Sequence, residues 1–325
     1  MCRTTRPCPS VPCPGPPLPH RPLPERLLAA LATATPELVV AADEPGAGHW
    51  AGAPYAVRDG ARIVLAYRVR KPEGHGRGLA NIIAVSDDGL TFREVARVES
   101  GTFGAASLER PALARLADGG WRLYVSCSTP GSKHWWVEAV DAPTLEELPV
   151  GTRAVVLPGD DTEAWKDVVV DRAPDGQWRI WACRHPLDGG PDAADRMSTW
   201  FGTSTDGLAW LMHGPAMTPT EGAWDQRGAR LTAVLPAGTE AGLSEASGIV
   251  ALYDGRASAE ENFRERTGVA LGIPDRLVAA GGPVPAASGR ALRYVSLVQT
   301  PAGLRTYFEV TTDDGSHALV TTLVP

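Results

Sequence analysis

The chain has 325 residues, 43% of them hydrophobic, and a formal net charge of −7. The length suits two domains or one closed all-β domain, and the apolar content is ample for a large core. The negative balance argues against nucleic acid as a partner. No apolar run approaches the ~20 residues that span a bilayer, so no membrane partner is expected.

Residues 1–24 stand apart, with nine of the 29 prolines and three of the five cysteines, Cys2, Cys8 and Cys13. Proline fixes φ and donates no backbone hydrogen bond, so this stretch reads as a disordered leader. No histidines stand at zinc-finger spacing around the cysteines, and neither a metal nor any other cofactor is expected. "PERLLAALATATPE" then predicts a short helix. Its apolar part begins too late, behind Glu25 and Arg26, to suit a secretory signal. Only Cys127 and Cys183 remain in the body, too few for a disulfide framework. A cytoplasmic location is the default expectation, with secretion as the alternative if translation starts near Arg21.

From there, short β-type runs are broken by Gly, Pro and Asp. They begin with "APYAV", "RIVLAYRV" and "NIIAVS" and end with "LRYVSLVQ", "LRTYFEVT" and "HALVTTLV". They fall into five groups starting near Gly52, Leu108, Trp165, Trp224 and Ser288, a period of roughly 55–60 residues, the signature of a propeller or solenoid. Within a group, a first strand leads through an Asp-Gly turn ("RDGAR", "ADGGWR", "PDGQWR") to a second, more hydrophobic one. A third ends in "SDDGLTF", "STDGLAW" or "TDDGSHA". Asp-Gly suits a tight hairpin because both residues tolerate positive φ. The pattern predicts an all-β fold, a five-bladed β-propeller over residues 25–325 in one domain. "ELVVAA" (37–42) would close the last blade and cover its edge. A six-bladed ring or a sandwich is the alternative.

The ladder of "PYAVRDGARIVLAYR", "ERPALARLADGGWRLYVS" and "KDVVVDRAPDGQWRIWACR" resembles the five-bladed propeller glycosidases of glycoside hydrolase families 43, 32, 68, 117 and 130. The "S-x-D-G" hairpin also looks like the Asp-box of sialidases, but lacks a residue between Asp and Gly. The resemblance implies that the innermost strand of each blade opens on a funnel, with acidic residues at the strand starts. Families 43 and 32 place Asp before Pro in the first blade. Here that pair reads Ala53-Pro54. The second blade reads Arg110-Pro111 with Glu109 before it, and the third reads Asp167-Val168 after Lys166. The fourth opens "WDQRGAR" with Asp225.

Glycoside hydrolysis needs two carboxylates, one to protonate the leaving oxygen and one to act as nucleophile or base. Glu109, Asp167 and Asp225 are the catalytic candidates, with structural ion pairs or turn caps as the plain alternative. Candidate substrate-binding residues are Trp50, Arg68, Arg110, His134, Trp135, Trp165, Lys166, His185 and Arg227. The tryptophans equally suit inter-blade wedges and the histidines backbone partners. Asp167 is expected to face the funnel. The missing acid at position 53 admits two escapes. Asp43 could reach in from the preceding loop, or phosphate held by Arg68, Arg70, Lys71, Arg110, Lys166 and Arg227 could serve as nucleophile, as in family 130 phosphorylases. The expected function is a monomeric glycosidase-like enzyme acting on a small-molecule or oligosaccharide ligand. A propeller that only binds carbohydrate or protein is the alternative.

Overall fold

The computed structural model describes residues 23–190, 192–235, 248–286 and 292–324. The expected leader lies outside them up to residue 22. Leu23 and Pro24 begin a helix, α1 (Leu23–Thr33). Leu27 and Leu31, one turn apart on this helix, are buried in a core shared with the fourth and fifth blades.

The rest is strand. β1 (Glu37–Val40) precedes a first blade of β2 (Trp50–Asp59), β3 (Arg62–Arg70), β4 (Ala80–Ser86) and β5 (Arg93–Glu99). The second contains β6 (Ser107–Leu108), β7 (Ala112–Arg115), β8 (Trp121–Ser128), β9 (Trp135–Ala142) and β10 (Thr152–Leu157). The third is β11 (Glu163–Arg172), β12 (Trp178–Pro186), β13 (Ser198–Ser204) and β14 (Leu211–Met217). The fourth is β15 (Gly228–Val234), β16 (Ile249–Arg256), β17 (Arg266–Ile273) and β18 (Arg276–Ala279). The fifth is β19 (Leu292–Thr300), β20 (Gly303–Thr311) and β21 (His317–Val324), completed by β1. Every pairing inside a blade is antiparallel, and a single parallel bridge from Trp50 to His317 joins the fifth blade to the first. The chain is thus a five-bladed propeller whose N-terminal strand closes the last blade.

Repeated sequence signals do repeated jobs. In "SDDGLTF" the Asp88 carboxylate accepts the N–H groups of Leu90 and Thr91 at 2.8 Å, and Ser86 Oγ accepts that of Gly89. "STDGLAW" copies this with Asp206 and Ser204. Each hairpin then docks on the preceding blade. Tyr307 donates its hydroxyl to Gly89 O at 2.8 Å, and Tyr124 donates to Gly207 O at 2.7 Å. Gly207 has φ 73°, and a Cβ there would sit 2.9 Å from the Tyr124 hydroxyl and from the Trp178 ring, so glycine is needed both for its φ and for the close approach. In the "W-R" pairs that open second strands, Trp121 and Trp178 are buried between blades, while Arg122 pairs with Asp141 at 2.6 Å.

Ring closure depends on β21, which carries both β20 and β1. Deleting residues 318–325 removes the centre of the fifth blade, strips the ladder from β1 and opens an unpaired edge. The truncated chain should lose its cooperative melting transition and aggregate. Unchanged solubility and melting temperature would contradict closure at this strand.

Candidate active site

The innermost strands share one irregularity. In each blade two residues of the first strand face one of the second, at the same place. The register jumps from Gly52 to Tyr55, from Lys166 to Val169, from Leu231 to Ala233 and from Arg293 to Ser296. In the second blade Glu109, Arg110 and Pro111 fill the gap between β6 and β7, with Glu109 N–H still bonded to Ser126 O. Such bulges re-aim the flanking side chains. Three of them hold a non-glycine residue in left-handed backbone, Ala53 at φ 52°, Asp167 at 51° and Tyr294 at 53°. Each costs about 1–2 kcal/mol and needs an outside restraint. The preceding blade supplies it in all three cases. Ala53 N–H donates to Glu309 Oε2 at 3.0 Å, Asp167 N–H to Ser126 Oγ at 2.9 Å, and Tyr294 N–H to Asp254 Oδ2 at 3.0 Å. A Cβ at Gly52 would lie 2.0 Å from Glu309 Oε2, so only glycine admits that carboxylate.

The residues leading into the bulges are Gly52, Glu109, Lys166, Arg230 (one residue ahead of Leu231) and Arg293, one per blade. Except for the glycine, all of them line a cavity of about 740 Å³ at one end of the ring axis. This register assigns the fourth blade's strand opening to Arg230. Asp225 lies in the turn before β15, wholly buried, where its Oδ2 accepts the Tyr253 hydroxyl at 2.8 Å and that of Thr220 at 3.3 Å. It does not line the cavity.

Among the other predicted residues, Glu109, Trp50, Arg68, Trp135, Lys166 and His185 all line the cavity. Glu109 is ion-paired with Arg68. The Trp50 ring is covered by His317 and Arg70, each 4.2 Å from its centroid. Lys166 Nζ stands 4.8 Å from the centre of the Trp135 ring. His185 Nε2 is 3.6 Å from Cys183 Sγ. The structure does not bring the rest to the wall. Arg110 is fully buried and donates twice to Pro54 O, at 3.1 and 2.9 Å. Trp165 packs edge-on against Trp200 inside the third blade. His134 hydrogen-bonds Thr129 Oγ1 within its own loop. Arg227 pairs with Asp192 and Asp195, of which Asp195 lines the cavity.

Asp167 corrects an expectation. It is 1% exposed and lies beneath the cavity rather than facing it. Its Oδ1 accepts Arg110 N–H at 3.2 Å, and its Oδ2 lies 3.2 Å from Arg230 Nη1 and 3.5 Å from the Tyr294 hydroxyl. Arg230 also reaches Asp254 at 2.9 Å. Arg293 joins Glu309 and Glu265, both at 2.8 Å, and Arg256 joins Asp195 at 2.6 Å. Burial works against ionisation of Asp167, Glu265 and Glu309, but the surrounding cations outweigh it and hold all three carboxyls below their ordinary range. Burial lowers the Lys166 ammonium, and Asp167, 4.0 Å away, compensates only in part.

Sequence reasoning missed Arg77, Arg230, Arg256, Glu265, Arg293 and Tyr294, all on the wall. Arg293-Tyr294 and Lys166-Asp167 occupy the same position in their blades, but without a shared residue type only the register reveals it. No group of three His, Cys, Asp or Glu side chains suited to a metal ion occurs among the described residues.

Two consequences are measurable. Asp167→Asn removes the charge that compensates Arg230 and Lys166, so it should cost about 3–5 kcal/mol of stability, the scale for breaking a buried pair. A mutant melting like the parent would show that Asp167 is not a structural anchor. The depressed carboxyl values also set an acid limit. Their stabilisation is fully present above the ordinary values of 4.5 for Glu265 and Glu309 and 3.8 for Asp167, and is lost as pH falls towards the lower folded-state values. Melting temperature should hold from neutral pH to about 5 and drop steeply below about 4. A flat profile across that range would contradict the charged network.

No family model matches the chain, and no curated protein matches its sequence. Solved structures do. A thermostable family-43 glycoside hydrolase aligns with a TM-score of 0.62 at 12% identity over 86% of this chain and 91% of its own. A structure described under the family-130 mannoside phosphorylases, a family stated to contain glycoside hydrolases that target β-1,2 mannosidic linkages in Candida mannan, aligns with 0.56 at 15% identity over 90% of both chains. A glycosyl hydrolase from Bacteroides ovatus aligns with 0.55 at 14% identity, again over 90% of both. At these identities the likeness is one of fold, and the fold is that of the propeller glycoside hydrolases.

Proposed function

We propose that the protein is a glycosyl-bond-cleaving enzyme with its active site in the axial cavity. The observation that carries this reading is Glu109, a carboxylate on the cavity wall at the opening of an innermost strand. Glu265 is the second buried carboxylate on that wall. Arg293, Arg230 and Arg256 keep Glu265 ionised against its burial, which suits a base or nucleophile. Glu109 supplies the other carboxylate that glycosyl cleavage needs, and its ion pair with Arg68 must open before it can donate a proton to the leaving oxygen. Trp135 and Tyr294 add aromatic surface, and the volume fits the range of small-ligand sites. With Ala53 in the first blade, the reaction does not draw on an acid there. A second reading, a propeller that binds sugar without cleaving it, is favoured by the basic partners of Glu109 and Glu265.

A panel of aryl glycosides, assayed with and without inorganic phosphate, tests the proposal. Turnover only with phosphate would make the reaction phosphorolytic. Glu109→Gln should lower turnover per folded molecule by about 10²-fold or more, the scale of losing an acid–base group. The mutant will also melt earlier, because Arg68 loses its partner, so activity is normalised to the folded fraction. Full activity per folded molecule would remove Glu109 from the chemistry.

A further inference from the structure

The basic side chains on the cavity wall outnumber the acidic ones. Seven, Arg68, Arg77, Lys133, Lys166, Arg230, Arg256 and Arg293, stand against Glu73, Glu109, Asp195 and Glu265. Four of the arginines are spoken for. Arg68 pairs with Glu109, Arg230 with Asp167 and Asp254, Arg256 with Asp195 and Glu265, and Arg293 with Glu265 and Glu309. Among the described residues no carboxylate lies within 4.0 Å of Arg77, and the nearest to Lys166 is Asp167 at 4.0 Å. Arg77 Nε is buried without a hydrogen-bond partner. So are Nε and Nη1 of Arg70, just behind the wall against Trp50. A buried cation without an anion is costly, and these repel one another. Burial, reinforced by Arg68 and offset only in part by Glu73, lowers the Arg77 value, and burial pushes Arg70 down to about 9. Lys166 feels Arg77 and Arg230 in the same way.

We infer that the cavity takes a sugar carrying its own carboxylate, a uronic-acid glycoside, whose anionic group is held between Arg77 and Lys166. The inference rests on the proposed glycosyl-cleaving function and deepens it. A ligand anion there completes the pairing of both cations through charge-assisted hydrogen bonds. A free inorganic anion would leave most of the 740 Å³ empty, whereas a sugar ring bearing the charge fills it towards Glu109. A wholly neutral sugar would leave half-buried Arg77 with no carboxylate within 4.0 Å among the described residues, and Lys166 with only the distant contact to Asp167 at 4.0 Å.

The full chain is titrated at low salt with D-glucuronate, D-galacturonate, D-glucose, D-galactose and inorganic phosphate, and binding is read by calorimetry and ligand-observed NMR. At least one uronate should bind about tenfold or more tightly than its neutral counterpart. Arg77→Gln and Lys166→Gln should each weaken it by about tenfold, while Arg115→Gln, at an exposed site away from the cavity, leaves it unchanged. Circular dichroism confirms that each variant is folded. Equal binding of neutral sugars, binding of phosphate without either uronate, no binding of any probe, or uronate binding indifferent to Arg77 and Lys166 would overturn the inference. Uronate binding without cleavage of any glycoside would sink the enzymatic reading and leave this one standing. Cleavage confined to neutral glycosides would do the reverse.

Discussion

A side chain from one blade grips the backbone of the next at its innermost strand, and the ring depends on this contact. Glu309 is its fullest case. One carboxylate oxygen accepts the N–H of Ala53 and the other accepts from Arg293 and His317. The fifth blade is thereby tied to the first at the point where the ring closes. Ser126 and Asp254 repeat the grip for Asp167 and Tyr294. A propeller blade has little to hold it against its neighbours except side chains packed between faces, which are non-directional. A hydrogen bond onto a strained backbone position adds direction, and fixes how far each strand slides along the axis.

The same contact explains why the cavity is so heavily charged. A carboxylate buried at a bulge must be neutralised, and arginines do this with several donors in a fixed plane. Arg230 and Arg293 each bridge two carboxylates, the first tying the third blade to the fourth and the second tying the fourth to the fifth. The floor of the funnel is therefore rigid and ionic, and the side chains above it inherit a fixed position. Glu109 and Glu265 are held by the same kind of partner that stabilises the ring. Side chains placed this way are oriented before any ligand arrives.

Much of the architecture was legible in the chain. The Asp-Gly turns, the repeated "W-R" second strands and the spacing of the groups point to five blades because local turn chemistry and two-residue alternation are properties of short segments. The closing role of residues 37–42 followed from the edge that would otherwise be exposed. At the strand openings the cavity wall was legible only in part, at Glu109 and Lys166, while Arg110 and Asp167 beside them are buried beneath it. It was misread at Asp225. "WDQRGAR" looks like a strand start, but the strand begins at Gly228, and it is Arg230 that reaches the cavity wall.

The sequence by itself determined the grouping of the strands, the turn positions and the polarity of the strand openings, since each depends on residues close together in the chain. Only the tertiary structure decided which side of each opening faces the cavity. A bulge adds one residue and turns the next side chain to the other face, and whether it forms depends on a partner up to 256 residues away, as for Ala53 and Glu309. Asp167 went beneath the cavity and Lys166 onto its wall for that reason. The ion pairing of Arg68, Arg230 and Arg293, and its absence at Arg77 among the described residues, likewise depend on distances between blades that no local pattern encodes.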